Sequence, residues 1–274
     1  MTAPRPEPPS RFTVRLLRHR SSREWVVLLP GAGATTSVWF AQVRAFRRHF
    51  NLALVDFPGH HRKRRRGHRR ETASDRPYSF DGLVAELGVA LDRAGLARCH
   101  VVALSLGTIL ARVWAEREPE RLKSAVLAGT IAGLTPVTGL LMRGGWYARR
   151  VMPYMMLYRL YAWIIMPGPS HHATRQLFYR DARLLGRREF NRWFSLSADV
   201  PALLRSLRRS PTTVPTLHVM GARDRMFLGS ARRAADEAHA SLHVIADAGH
   251  VCTVEAPGEF NAIALEFLRR HGAA

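Results

Sequence analysis

The sequence predicts an α/β fold: a mostly parallel, doubly wound sheet with helices on both faces and an inserted helical cap. Three observations predict it. Short, continuously apolar runs alternate with segments of helical periodicity over most of the chain, as expected for strands buried on both faces by crossover helices. That alternation stops between about 134 and 210, an interval rich in Met, Tyr, Trp, Leu and Arg that reads as helices alone. Two further apolar runs then resume it. The expected organisation is a core at 11–133 and 211–274, a helical cap at 134–210, and a loose arm at 1–10 that holds four prolines and does not read as a signal peptide.

The elements follow in order. Trp25–Leu29 is apolar throughout and is ended by Pro30 and Gly31, so it reads as a buried parallel strand. Trp39, Val43, Phe46 and Phe50 then recur at helical spacing. Leu52–Val55 is the next strand, and Asp56, Phe57, Pro58 and Gly59 follow it. One helix face is marked by Phe80, Leu83, Val84, Leu87 and Leu91, with Ser79 as N-cap and Gly95 as stop. Val101–Leu104 is a third strand, followed by a helix from about Leu106 to Arg117. Ser124–Leu127, Leu217–Met220 and Leu242–Ile245 complete the strands, and Phe260, Ile263, Ala264 and Phe267 mark the last helix.

Composition bounds the function. At 274 residues and 47% hydrophobic content the chain can bury a sizeable core, which excludes global disorder. The most apolar long stretch, 151–167, is interrupted by Pro153 and carries Arg159, so no membrane span is expected. The same prolines, Pro153 and Pro167, shorten any amphipathic helix and weaken a reading as a membrane-docking segment. Cys99 and Cys252 make no disulfide framework, there is no Cys-x-x-Cys, and the histidines lack zinc-ligand spacing. No metal, no cofactor and a cytoplasmic location are expected. The net charge is +21, yet only Lys63 and Lys123 are lysines among 42 basic residues. Such an arginine bias beside abundant Ala and Gly reads as genome composition before it reads as a specific nucleic-acid site.

Three short segments carry chemistry. Ala103-Leu104-Ser105-Leu106-Gly107 puts a serine between a buried strand and a helix, with small residues two positions to either side. A sharp turn there exposes the hydroxyl, and the helix start offers free N–H groups where negative charge develops. Asp224 follows the strand that ends at Gly221, and His250 follows the last strand. A histidine acting as general base needs a carboxylate on its Nδ1 side. Ser105, Asp224 and His250 come in that chain order, each just past the C-terminal end of a strand, where one sheet edge can gather them.

These segments resemble the α/β-hydrolase fold superfamily, and within it the lidded serine hydrolases and esterases. The resemblance covers about 23–133 and 211–270. Leu28 to Gly33 looks like the family's His-Gly-x loop, and Asp56 to His60 looks like its D-x-P-G-H-G segment. Pro30 stands for the usual histidine, Ala103 for the first elbow glycine and His61 for a glycine. The resemblance implies a Ser105–His250–Asp224 triad, with Ser105 as nucleophile, His250 as general base and an oxyanion hole from the N–H groups of Ala32 and Leu106. It also implies a small-molecule acyl substrate, apolar or anionic, cleaved as a carboxylic ester through an acyl-enzyme. Two alternatives stay open: a carbon–carbon hydrolase or proton-abstracting lyase acting on a small anionic substrate, and a non-enzymatic basic binding protein. Met155, Met156 and Trp163 in the cap are expected to line the substrate pocket. The basic loop at 62–70 reads as a solvated loop on the active-site face.

Overall fold

The computed structural model describes residues 10–60, 77–168, 171–210 and 212–272. The arm at 1–9 and the basic loop at 62–70 lie outside them. Seven strands form one sheet among the described residues: β1 (Thr13–Leu17), β2 (Trp25–Leu29), β3 (Asn51–Asp56), β4 (Cys99–Leu104), β5 (Leu122–Ala128), β6 (Thr216–Gly221) and β7 (Ser241–Ile245). Their spatial order is β1-β3-β2-β4-β5-β6-β7. β1 runs antiparallel to β3, and every other pair is parallel.

The buried strands are apolar on both sides because helices cover both sides. Val27, Leu29, Val101, Ala103, Ala125 and Leu127 point into one core, against α2 (Phe80–Arg93) and α3 (Leu106–Arg117). Their neighbours Val26, Leu28, Val102, Leu104, Val126 and Ala128 point into a second core. There α1 (Phe40–Phe46) and the last helix, Pro257–Arg270, supply Phe46, Phe260 and Ala264. The period-two alternation of a pleated strand thus feeds two separate layers. Ser79 caps α2 by accepting from the Gly82 N–H at 3.1 Å.

Among the described residues five α-helices lie between β5 and β6: α4 (Pro136–Val151), α5 (Tyr154–Ile165), α6 (His172–Ala182), α7 (Gly186–Ser195) and α8 (Val200–Arg209). After β6 come α9 (Leu228–Glu237), a one-turn α10 (Cys252–Glu255) and α11 (Pro257–Arg270). Among the described residues, no helix is long and apolar enough to cross a membrane.

Two imidazoles are sealed into the sheet. His100 on β4 hydrogen-bonds the Ser124 hydroxyl at 2.8 Å, and His218 on β6 hydrogen-bonds Thr130 at 3.0 Å. Burial pushes both rings from the ordinary 6.5 down to about 4. The unfolded chain protonates them near 6.5, so the stability tied to keeping them neutral is complete above that pH. It is lost as pH falls from 6.5 toward 4. The expected loss is on the order of 3 kcal/mol per ring over the whole window. Urea midpoints at about pH 7 and about pH 5 should differ clearly, and the difference should shrink in His218→Gln. Equal midpoints at the two values would contradict the assignment.

Candidate active site

The site grows from the end of β4. Ser105 follows the strand directly and adopts φ 53°, ψ −118°, outside the ordinary regions for a residue with a side chain. Its N–H donates to the Ala128 carbonyl at 3.0 Å, so the neighbouring strand holds the turn in place. Gly107 is required beneath it: a Cβ there would sit 2.6 Å from the Pro30 carbonyl oxygen. Ala103, where the family pattern has glycine, is fully buried and fits.

Asp224 and His250 arrive from the ends of β6 and β7. Each is 3% exposed. Asp224 Oδ1 accepts from the N–H groups of Met226 and Phe227 at 3.2 and 3.0 Å. Its Oδ2 lies 2.7 Å from His250 Nδ1, and His250 Nε2 lies 2.9 Å from Ser105 Oγ. With a carboxylate on Nδ1, the proton of a neutral ring belongs on Nδ1 and the Nε2 lone pair faces the hydroxyl. Burial alone raises the Asp224 carboxyl, but His250 and the two backbone donors outweigh it and hold it below the usual range. Gly129, at φ +54°, lets β5 pass under this histidine, and a Cβ there would collide with the His250 carbonyl oxygen.

The histidine loop is pinned from behind. The Glu255 carboxylate accepts from Gly249 N–H at 2.6 Å and Val251 N–H at 3.2 Å, on either side of His250. It also meets His171 Nε2 at 3.0 Å, which ties the loop to the residue preceding α6. Since His171 Nδ1 accepts from the Gly168 N–H, its proton belongs on Nε2 and is donated to Glu255.

Across the site, Leu106 is the first residue of α3, so its N–H has no acceptor within the helix. Leu106 and Ala32 both border the cavity above Ser105. The loop carrying Ala32 is held by the inserted helices. Tyr158 donates its hydroxyl to the Ala32 carbonyl at 3.1 Å. Asp181, 3% exposed, accepts from Thr35 N–H, Thr35 Oγ1 and Ser37 Oγ at 3.1, 2.7 and 2.6 Å. Asp56 Oδ1 accepts from Thr36 N–H at 2.6 Å from the core side.

The cavity has a volume of about 280 Å³ and is bordered by Ser105, His250 and the inserted helices. Leu141, Tyr161, Ile165, Phe190 and Phe194 are among its walls, and among the described residues no Lys, Arg, Asp or Glu is. Met155, Met156 and Trp163, the expected pocket residues, are not among its walls either. α5 turns Tyr158, Tyr161, Ala162 and Ile165 inward, while Met156 and Trp163 are 54% and 57% exposed. The helix is apolar around most of its circumference, so hydrophobicity does not reveal its phase. Among the described residues, no group of three metal-ligating side chains occurs.

Glu255 and Asp181 escape a reading of the sequence because they bond backbone N–H groups, which leave no residue pattern, and side chains far off in the chain, His171 for Glu255 and Thr35 and Ser37 for Asp181. Asp181 does carry one signal: it is the first acidic residue after Glu120, alone in a basic stretch.

Residues 26–263 match the model of the family described as Alpha/beta hydrolase family. A pimeloyl-[acyl-carrier protein] methyl ester esterase of Aeromonas salmonicida (strain A449) is 33% identical over 101 residues, 37% of this chain and 35% of that protein. A poly(3-hydroxyalkanoate) depolymerase of Ectopseudomonas oleovorans is 30% identical over 114 residues, 42% of this chain and 38% of that protein. The alignments therefore span little more than a third of these two relatives. The solved structure of the enol-lactonase from Burkholderia xenovorans LB400 shares the fold, with TM-score 0.76, 21% identity and coverage of 94% of this chain and 96% of that one.

Proposed function

The chain belongs to the alpha/beta hydrolase family, and from that premise we propose that it is a serine hydrolase of carboxylic esters with an uncharged, apolar acyl group. One observation carries the reading. A hydroxyl, an imidazole and a buried carboxylate stand in line at 2.9 and 2.7 Å, at the floor of an apolar cavity.

In this mechanism His250 Nε2 takes the proton of Ser105 as Oγ attacks the ester carbonyl. Asp224 holds the ring in the tautomer that can accept it, and stabilises the imidazolium that results. The N–H groups of Ala32 and Leu106 receive the oxyanion, each such donor being worth about 2.7–4 kcal/mol in the transition state. His250 returns the proton to the leaving alkoxide, which departs as an alcohol and leaves the acyl group on Ser105. A water deprotonated by the same ring releases the acid.

The apolar walls favour this substrate class over the small anionic substrate of a carbon–carbon hydrolase or lyase, because no cation among the described lining residues meets a carboxylate. The name of one relative, a methyl ester esterase, agrees with ester chemistry, and the other is named a poly(3-hydroxyalkanoate) depolymerase. The reading keeps the protein in the cytoplasm, in accord with two buried free thiols, Cys99 and Cys252, whose burial pushes each up to about 12.

A series of p-nitrophenyl esters tests the assignment. Each methylene that enters the cavity should raise kcat/KM about four-fold, the equivalent of about 0.8 kcal/mol, until the cavity is full. An acyl chain ending in a carboxylate should react more slowly than its uncharged isostere. A preference for the anionic chain would transfer the assignment to the alternative chemistry.

A further inference from the structure

Helices α4 and α5 are apolar on two sides. Their inner faces wall the cavity through Leu141, Met142, Tyr161 and Ile165. Their outer faces stand in solvent. On α4, Val137, Leu140, Tyr147 and Val151 are 65%, 65%, 68% and 83% exposed, and together with Gly144 they recur every three or four residues. On α5, Met156, Leu160 and Trp163 are 54%, 46% and 57% exposed at the same spacing. Among the described residues, seven of the nine large apolar side chains that are exposed belong to these two helices. Scattered exposed leucines need no explanation, whereas two continuous stripes on adjacent helices mark a contact surface.

The charge around the stripes identifies the partner. Arg143, Arg150 and Arg159 are exposed and flank them. No Asp or Glu occurs anywhere from 121 to 180. A second copy of the chain would bring these arginines against their own counterparts with no local carboxylate to neutralise them. A surface of phosphate headgroups over hydrocarbon supplies both complements: anions for the guanidinium groups and an apolar phase for the stripes. Pro153 does not prevent this. It separates an α4 of 16 residues from an α5 of 12, and each retains a complete stripe.

We propose that the outer face of α4 and α5 docks the protein on an anionic lipid bilayer, lying in the interface without crossing it. The inference concerns binding alone and does not depend on the chemistry assigned to Ser105.

Flotation of the full chain with phosphatidylcholine vesicles, with and without about 30% phosphatidylglycerol, tests it. The wild type should float with the anionic vesicles, and raising salt from about 0.1 M to about 0.5 M should release it. The double variant Leu140→Gln/Trp163→Gln keeps the net charge and replaces two exposed residues, so it should fold normally, as circular dichroism will check. Its partition should fall about ten-fold or more, through the loss of two inserted apolar groups. Three results would overturn the proposal. The first is no binding to anionic vesicles. The second is equal binding by the double variant, which would assign the attraction to the overall +21 charge. The third is a wild-type dimer that the double variant disperses, which would give the face to a second copy.

Discussion

Ser105→Ala is expected to abolish ester turnover, with kcat falling by a factor on the order of 10⁶. The substitution removes only Oγ. The Cβ remains, and alanine can be held at the same φ of 53° by the N–H bond to the Ala128 carbonyl that holds serine. The cavity walls are untouched, so a non-hydrolysable apolar analogue should bind within about two-fold of wild type, as expected when only a transition-state interaction is lost. Thermal unfolding should move little. A variant that retains a substantial fraction of turnover would mean that another nucleophile is used.

The second large effect is at Asp224. Asp224→Asn should lower kcat by about 10⁴-fold without unfolding the protein. Oδ1 of the amide can still accept from Met226 and Phe227, so the turn after β6 keeps its bonds. The other end of the side chain becomes an NH₂ group facing His250 Nδ1, where a carboxylate oxygen stood at 2.7 Å. Two donors cannot face each other there, so the ring exchanges its tautomer and presents N–H to Ser105 in place of a lone pair. Steady-state kinetics on a short apolar ester will measure the loss. A drop of less than about ten-fold would mean that Asp224 does not orient His250.

What the sequence makes legible follows from how each feature is held. The strands β2 to β6 stand out because burial on both faces gives each a run of consecutive apolar residues, as in Trp25–Leu29 and Val101–Leu104. The edge strand β1 does not stand out: Thr13–Leu17 includes Arg15 and is fully buried nowhere, so its pattern is not apolar. Ser105, Asp224 and His250 are legible because strand ends precede all three, and chain order then does the rest. The cavity wall is not. Tyr154–Ile165 offers apolar residues in nearly every direction, so its pattern does not say that Tyr158, bonded to the Ala32 carbonyl, and Ile165 face inward and Trp163 outward. Asp181 and Glu255 hold loops through backbone N–H groups and through Thr35, Ser37 and His171, and neither the N–H acceptors nor side-chain partners so distant in the chain leave a pattern in the sequence.

The proposed hydrolase requires Ser105 to be an activated nucleophile. Intact-mass analysis after treatment with an alkyl fluorophosphonate measures that directly, because phosphonylation requires the aligned hydroxyl, base and oxyanion donors together. The expected result is one adduct per chain, mapped to Ser105 by peptide mass spectrometry and absent from Ser105→Ala. An unlabelled, properly folded wild type, or an adduct mapped to a different residue, would contradict it.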